Sequence, residues 1–438
     1  MLGAARSSGI LRGMSGLADI PRRALERARE LLREEPVLVL AGPRTVGKSY
    51  VLQRLARGSG TQILDLDDVV TLQAVSADPG FYAGGPAPVC IDEWQHCEAI
   101  VQAIKAELNR DLRPGRFVLT GSTRSRARPI LDRELAGRYH EIAVLPFSQG
   151  ELAGVTERFA ELLVENPESL LTSAPFSESR AGYAGRVTTG GMPLAVARSS
   201  SAGRNRWFDD YVPQVIERDA RALRRLTQLS QRDALPRVLA RLASQTAQIL
   251  DVRAVAERER VSEETAGAYV RLLADVHLVQ LLPAWGTTLG ARIQKKPKVH
   301  LVDTGLAARL LHVSAEKLAG RDPSAQTEFG HLLETFVVGE VMKQLSWTDS
   351  ASLVGHWNHY DAGEVDLVVE RDDGRIVGIE VKAASSVSRA DTRGLRALAN
   401  AVGDRFAGAV LLNLGQRCYR DADGTLVMPV ERLWSAGI

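Results

Sequence analysis

The sequence predicts an α/β protein whose first half is built on a parallel β-sheet. Two observations carry this. Short apolar runs recur at residues 36–41, 62–66, 89–91, 117–119 and 142–145, and helical patterns such as 97–108 separate most of them. A parallel strand is buried on both faces and so reads as a continuous apolar run, while the alternating helices cover the sheet. The second observation is the return of α/β character over residues 325–430, after a middle stretch that is helical and strongly charged.

Composition bounds the rest. Apolar residues make up 45% of the 438 and charged residues 25%, the balance of a soluble globular chain. At roughly 150 residues per domain this length predicts two to four domains. The net charge of +2 exerts no bulk pull towards nucleic acid or membrane, so a nucleic-acid partner requires a local basic patch. Cys90, Cys97 and Cys418 make neither a CxxC pair nor an even set, which predicts free thiols in a reducing, cytoplasmic setting. No apolar run approaches the roughly 20 residues that span a membrane.

Five segments are expected. Residues 1–19 read as a disordered tail, with Met14 as an alternative start. Residues 20–150 form the first α/β domain. Residues 151–205, rich in Ser, Gly and Ala with a GGMP turn at 190–193, read as a helical connector. Residues 206–303 hold a helix–turn–helix with two β-like runs, and 304–438 a second α/β domain.

The strongest motif follows the first strand. Gly42, Pro43, Arg44, Thr45, Val46, Gly47, Lys48 and Ser49 match G-x-x-x-x-G-K-[ST] at every position, and Tyr50 opens a helix predicted over 50–56. Such a loop aims backbone N–H groups at phosphate oxygens, and the helix N-terminus adds its dipole. Lys48 is expected to reach the β- and γ-phosphates of ATP, and the Ser49 hydroxyl to coordinate Mg²⁺. The strand at 88–93 ends in Asp92 and Glu93. Asp92 is expected in the Mg²⁺ shell, and Glu93 to polarise the water that attacks ATP. Arg138, after Gly137, is expected to contact phosphate within its own chain or from a neighbouring subunit of a homo-oligomer; a surface arginine is the alternative.

The run from GPRTVGKS through LDLDD (64–68), IDEWQ (91–95), LTGSTR (119–124), LAGRYHEIAVLPFSQGEL (135–152) and GGMP resembles the bacterial and archaeal AAA-domain ATPases. In that family the ATPase precedes a C-terminal domain of unknown function. KPKVHLVDTGLAARL (296–310), LLETFVVGEV (332–341), GEVDLVV (363–369) and GIEVKAA (378–384) extend the resemblance over nearly the whole chain beyond residue 20. It implies a P-loop NTPase with an AAA+-like parallel sheet, binding ATP or ADP with Mg²⁺. It also implies a polar group near the γ-phosphate at Ser122, with Thr120 as the alternative.

In the middle segment, a helix over 251–260 breaks at Val261 and Ser262. A second helix over 263–276 follows, with Ser262 as its N-cap and Tyr269, Leu272, Leu273 and Val276 on its apolar face. With β-like runs at 278–282 and 298–302, this is the order of a winged helix, which the resemblance also suggests. Lys295, Lys296 and Lys298, with Arg292, are expected on or beside the wing, where they would meet phosphates of DNA or RNA. Glu263 and Glu264 open the second helix and favour the alternative, a protein-contact module.

In the last segment Asp366 lies on one strand and Glu380 and Lys382 on the next, joined by Asp372-Asp-Gly374, a hairpin signal. Glu380 and Lys382 share a face by alternation, and Glu334 lies on an upstream helix. This order resembles the PD-(D/E)xK nuclease superfamily. The resemblance implies Mg²⁺ held by Glu334, Asp366 and Glu380, with Lys382 orienting the attacking water. The alternative is a salt-bridged, inactive nuclease-like domain that binds a protein partner.

Overall fold

Five parallel strands organise the first half of the chain. The computed structural model describes residues 17, 20–121, 124–220, 229–288, 295–320, 322–349, 353–359, 361 and 363–435. Strands β1 (Val37–Ala41), β2 (Ile63–Asp65), β3 (Val89–Asp92), β4 (Phe117–Gly121) and β5 (Tyr139–Ala143) lie in the order β2-β3-β4-β1-β5. Every neighbouring pair is parallel. Each of the five apolar runs in this half overlaps a strand; the last strand begins at Tyr139, ahead of its run, on polar, half-buried residues, and ends at Ala143, before Val144 and Leu145.

Helices α1 (Arg23–Leu31), α2 (Lys48–Ser59) and α3 (Ala99–Arg110) cover the sheet with apolar stripes at helical spacing. They bury Leu25, Ala28 and Leu31 on α1, Val51, Leu52 and Leu55 on α2, and Ile100, Ile104 and Leu108 on α3. Val39, Ile91 and Leu119 from three adjacent strands meet Trp94, Ile104 and Leu108 in one core.

The chain divides into two compact units, one of Met1–Phe147, Tyr211–Arg232 and Asp275–His277, the other of Ser148–Asp210, Asp233–Ala274 and Leu278–Ile438. The second unit holds two sheets. In the smaller, β6 (Gln248–Ile249), β7 (Val279–Leu282) and β8 (Lys298–Leu301) pair antiparallel in the order β6-β8-β7. Helices α4 (Val252–Glu259) and α5 (Glu263–Asp275) lie between β6 and β7 in sequence. Asp251 caps α4 by accepting from the Ala254 N–H, and the Ser262 hydroxyl accepts from the Thr265 N–H at the start of α5.

The larger sheet has the order β13-β14-β12-β11-β10-β9. Its strands are β9 (Leu353–His359), β10 (Gly363–Glu370), β11 (Ile376–Val381), β12 (Phe406–Asn413), β13 (Tyr419–Arg420) and β14 (Leu426–Pro429). β9, β10 and β11 are antiparallel, then β12 and β14 continue parallel to β11. The β10–β11 turn is the predicted hairpin, with Gly374 at φ 80° and its N–H donating to the Arg371 carbonyl. The 23-residue helix α6 (Pro323–Leu345) precedes this sheet. Helix α7 (Arg393–Val402) packs Leu395 and Leu398 against Val365, Val368 and Ile376. Among the described residues no helix is long and apolar enough to cross a membrane.

Ile104 is fully buried in the first unit's core. Replacing it with Ala is expected to destabilise that unit by about 2–5 kcal/mol, read as a lower denaturant midpoint, because the cavity adds to the lost transfer energy.

Candidate functional site

The loop after β1 is shaped by close backbone approach. A Cβ on Gly42 would stand 2.0 Å from the Val144 carbonyl oxygen, so only glycine fits there. Thr45 at φ 63° and Gly47 at φ 99° take left-handed backbone, which curls the loop into the first turn of α2. Pro43 and Val46 are buried, Thr45 and Ser49 exposed, and Arg44 and Tyr50 half-buried. Lys48 is 5% exposed, and its Nζ donates to the carbonyls of Gly42 at 2.8 Å and Pro43 at 2.7 Å. The ammonium therefore lies at the loop, beside the helix N-terminus where N–H groups lack partners inside the helix.

The two acids of β3 lie two strands away, with β4 between. Thr120, fully buried on β4, ties them down: its hydroxyl donates to Asp92 Oδ1 and accepts from the Glu93 N–H at 3.1 Å. Glu93 takes φ 52°, left-handed for a residue with a side chain. Its carboxylate accepts from the Gln95 amide and lies 3.6 Å from the Arg44 guanidinium of the loop. A second contact to the loop comes from Tyr211, whose hydroxyl donates to the Arg44 carbonyl at 3.3 Å.

Beyond β2, Asp67 joins His96 and Arg218. Arg218 grips both Asp67 oxygens at 2.7 and 2.6 Å, and His96 Nε2 lies 3.1 Å from Asp67 Oδ1. The hydrogen bond to His96 lowers the Asp67 pKa, and Arg218 adds to this against the opposing effect of burial. The same bond to Asp67 raises the His96 pKa above 6.5.

One expected residue, Arg138, is not brought to this site. Arg138 precedes β5, and Tyr139 pairs with Val37, whereas the loop follows Ala41. Five residues at about 3.3 Å each put Arg138 at the far end of the sheet, about 16 Å away. There it donates to Asn109 Oδ1 at 2.6 Å, so it does not reach phosphate in its own chain. Ser122 lies outside the described residues.

The second unit gathers Glu334, Asp366, Glu380 and Lys382 around a residue the sequence reading assigned elsewhere. Lys298, expected on the wing, is 1% exposed. Its Nζ donates to Glu334 Oε1 at 2.7 Å and Asp366 Oδ1 at 3.0 Å, with Glu364 at 3.9 Å. Of its expected companions, Lys295 and Lys296 are exposed and Arg292 lies outside the described residues. Asp366 Oδ2 also accepts from the Val381 N–H at 2.9 Å, and Lys382 donates to Glu380 Oε1 at 2.6 Å. Asp366 and Glu380 stand one step beyond the paired Leu367 and Ile379, which brings them side by side.

The charges settle by environment. Burial raises the Asp366 pKa, but Lys298 and Lys382 outweigh it and keep that carboxylate ionised. Burial and the Asp366 charge raise Glu334 well above the ordinary carboxylate range and push Glu380 up to about 8. Burial opposes the Lys298 charge, but Asp366, Glu334 and Glu364 more than offset it.

This arrangement differs from the expected Mg²⁺ site. The cation between Glu334 and Asp366 is an ammonium, and oxygens at 2.7 and 3.0 Å from it are wider than the roughly 2.1 Å of a Mg²⁺ shell. Among the described residues no group of three or more His, Cys, Asp or Glu is arranged to hold a metal ion.

Residues 34–153 match the family described as an AAA domain. Residues 180–317 and 329–433 match two families described as domains of unknown function, DUF8612 and DUF4143. Uncharacterized proteins of Mycobacterium bovis and Mycobacterium tuberculosis are each 26% identical over 422 residues, covering 95% of this chain and 85% of theirs. Among solved structures, the Walker-type ATPase of Pyrococcus abyssi is 15% identical with a TM-score of 0.40, covering 67% of this chain and 99% of that one. The RuvB Holliday junction branch migration motor of Thermotoga maritima is 17% identical with a TM-score of 0.30, covering 60% of this chain and 89% of that one.

The AAA domain contains site features the sequence reading missed. Asp67 lies within LDLDD and His96 directly follows IDEWQ, yet nothing in the sequence announced that Arg218, some 150 residues on, closes on them. Titration tests this cluster. His96 has its pKa raised in the folded chain, so its share of stability is present below pH 6.5 and is lost as pH rises through the raised value. Nuclear magnetic resonance of the ring is expected to give a pKa above 6.5 in the wild type that falls back in Asp67→Asn.

Proposed function

We propose that the chain binds and hydrolyses ATP, with the AAA domain as its catalytic unit. The observation that carries this is the Thr120 bridge: it fixes Asp92 and Glu93 across β4 from a loop whose Lys48 and Ser49 face the same end of the sheet. In this reading the loop N–H groups and Lys48 hold the phosphates. The exposed Ser49 hydroxyl and the Asp92 carboxylate are hard oxygen donors, which fits Mg²⁺. That ion, when bound, neutralises charge developing on the phosphates. Glu93 accepts a proton from the attacking water, and Arg44 holds its carboxylate on the loop side. Tyr211 props the loop from behind.

For the second unit the two readings were a nucleic-acid-processing nuclease-like domain and an inactive one that binds a protein partner. Lys298 favours the second, because it already occupies oxygens of two of the carboxylates that metal-dependent cleavage needs. The protein is then a nucleotide-driven switch or scaffold. The segment 206–303, read from the sequence as a winged helix, serves in that case as a contact module.

Two experiments decide these readings. Lys48→Ala removes two charge-assisted phosphate bonds of about 1.5 kcal/mol each and is expected to weaken ATP binding about 10²-fold in calorimetry. Glu93→Gln is expected to retain that affinity and to lose turnover about 10²-fold or more, as removal of a general base does; wild-type turnover in this variant excludes the role. For the second unit, incubation with Mg²⁺ and single- or double-stranded DNA or RNA, with and without ATP, is expected to give no cleavage. Cleavage that Asp366→Ala abolishes overturns the scaffold reading.

A further inference from the structure

We infer that Lys298 is the resident cation of the second unit's carboxylate cluster, and that it keeps divalent metal out. The inference deepens the scaffold reading and rests on it only in sharing the same site.

Lys298 stands on the central strand of the smaller sheet, paired with Ile249 on one side and Leu282 on the other. Its Cα is therefore held from both sides and not carried on a loose loop. Alternation puts Lys298 and His300 on one face of β8. Both are buried, and both reach α6: Lys298 to Glu334, and His300 through its Nδ1 to the Thr335 hydroxyl at 3.1 Å. Thr335 in turn meets the Thr246 hydroxyl at 2.9 Å. Two adjacent residues of α6 thus read two alternate residues of β8, which fixes the register between helix and strand and with it the position of the ammonium.

The chemistry follows. An ammonium offers three N–H donors and one positive charge. Two of its donors are used at hydrogen-bonding distance by Glu334 and Asp366, while Glu364, half exposed at the rim, lies 3.9 Å away. A divalent ion would need these same oxygens about 0.6–0.9 Å closer to its centre than they stand to Nζ, since its shell is about 2.1 Å. It would also sit against a fixed positive charge with little water to screen it. Lysine and metal therefore exclude each other. The oxygen that Glu380 does not give to Lys382, Oε2, is buried and has no hydrogen-bond partner among the described residues. It is a further oxygen on hand for an incoming ion, beside those of Glu334 and Asp366, once Lys298 is gone.

The test uses the full chain without nucleotide. Mn²⁺ binding is followed by electron paramagnetic resonance, counting only binding that Asp366→Asn removes, so that any ion at the AAA domain drops out. The wild type is expected to bind none. Lys298→Met, which keeps the stem and deletes the charge, is expected to bind one Mn²⁺ per chain and to melt at a higher temperature when Mn²⁺ is added, a shift absent from the wild type. Lys298→Arg, which keeps the charge, is expected to behave as the wild type. Should Lys298→Met fail to fold, Lys298→Gln replaces it. Wild-type binding that Asp366→Asn abolishes overturns the inference, and so does a folded, charge-free variant that binds nothing. The scaffold reading fails separately, on nucleic-acid cleavage: a wild type that binds Mn²⁺ at this site and cuts nothing sinks the inference and leaves that reading standing.

Discussion

The placement of β4 between β1 and β3 constrains everything the AAA domain does. Strands are spaced at about 4.8 Å, so the acids of β3 stand about 10 Å from the loop strand in place of directly beside it. In the proposed reading that gap is the room a phosphate and its cation require, and β4 is its floor. Thr120, at the end of that floor, is the only residue of β4 described here that reaches both Asp92 and Glu93. The next residue is Gly121, where a Cβ would press within 3.2 Å of Gln95 Oε1 and Trp94 Nε1. Gln95 is the partner of Glu93. A larger residue at 121 would therefore push on the side chain that holds the glutamate. The geometry of the acids is thus set by the packing of a strand that carries no acid itself.

The second unit solves a different problem. Burying three carboxylates is unfavourable unless each is paired or protonated. Asp366 stays charged because two lysines and a backbone N–H face it. Glu334 and Glu380 relieve the repulsion by holding their protons to higher pH. The outcome is a network that joins β8, α6, β10 and β11 through charge, where apolar packing alone would not specify which strand residue meets which helix residue. His300, beside Lys298, is held neutral by burial and by the Lys298 charge, with its pKa pressed down to about 3. A second positive charge next to the ammonium is thereby avoided.

Much of this architecture was legible in the sequence. The five strands of the first sheet, the helix pair at 252–275 with its Ser262 cap, and the β10–β11 hairpin all follow from local signals: apolar runs, an N-cap, an Asp-Gly turn. The phosphate loop was legible because its chemistry is contiguous. What failed did so for one physical reason, that long-range contacts leave no local trace. Lys298 sits in the run Lys-Lys-Pro-Lys, and its neighbours Lys295 and Lys296 are exposed, so charge clustering argued for a solvated patch. The residue belongs instead to a strand whose alternation buries it. Arg138 followed a glycine shortly after β4, which suggested proximity to phosphate. The parallel direction of β5 carries the start of that strand to the opposite end of the sheet.

The two sites also differ in how they treat cations, and this bears on what each is able to sense. In the AAA domain the oxygen donors Ser49 and Asp92 are partly open, and in the proposed reading their cation arrives with the nucleotide. In the second unit the positive charge is covalently part of the chain and cannot be exchanged, diluted or chelated. On the proposed readings a change in free Mg²⁺ or in nucleotide acts on the first site, and the second keeps its own ammonium. Only a movement that separates β8 from α6 would expose Glu334 and Asp366, and the paired hydroxyls of Thr246 and Thr335 and the His300 bond would have to break with it. On the inference drawn above, it is separation of β8 from α6, and not metal, that would open the carboxylate cluster.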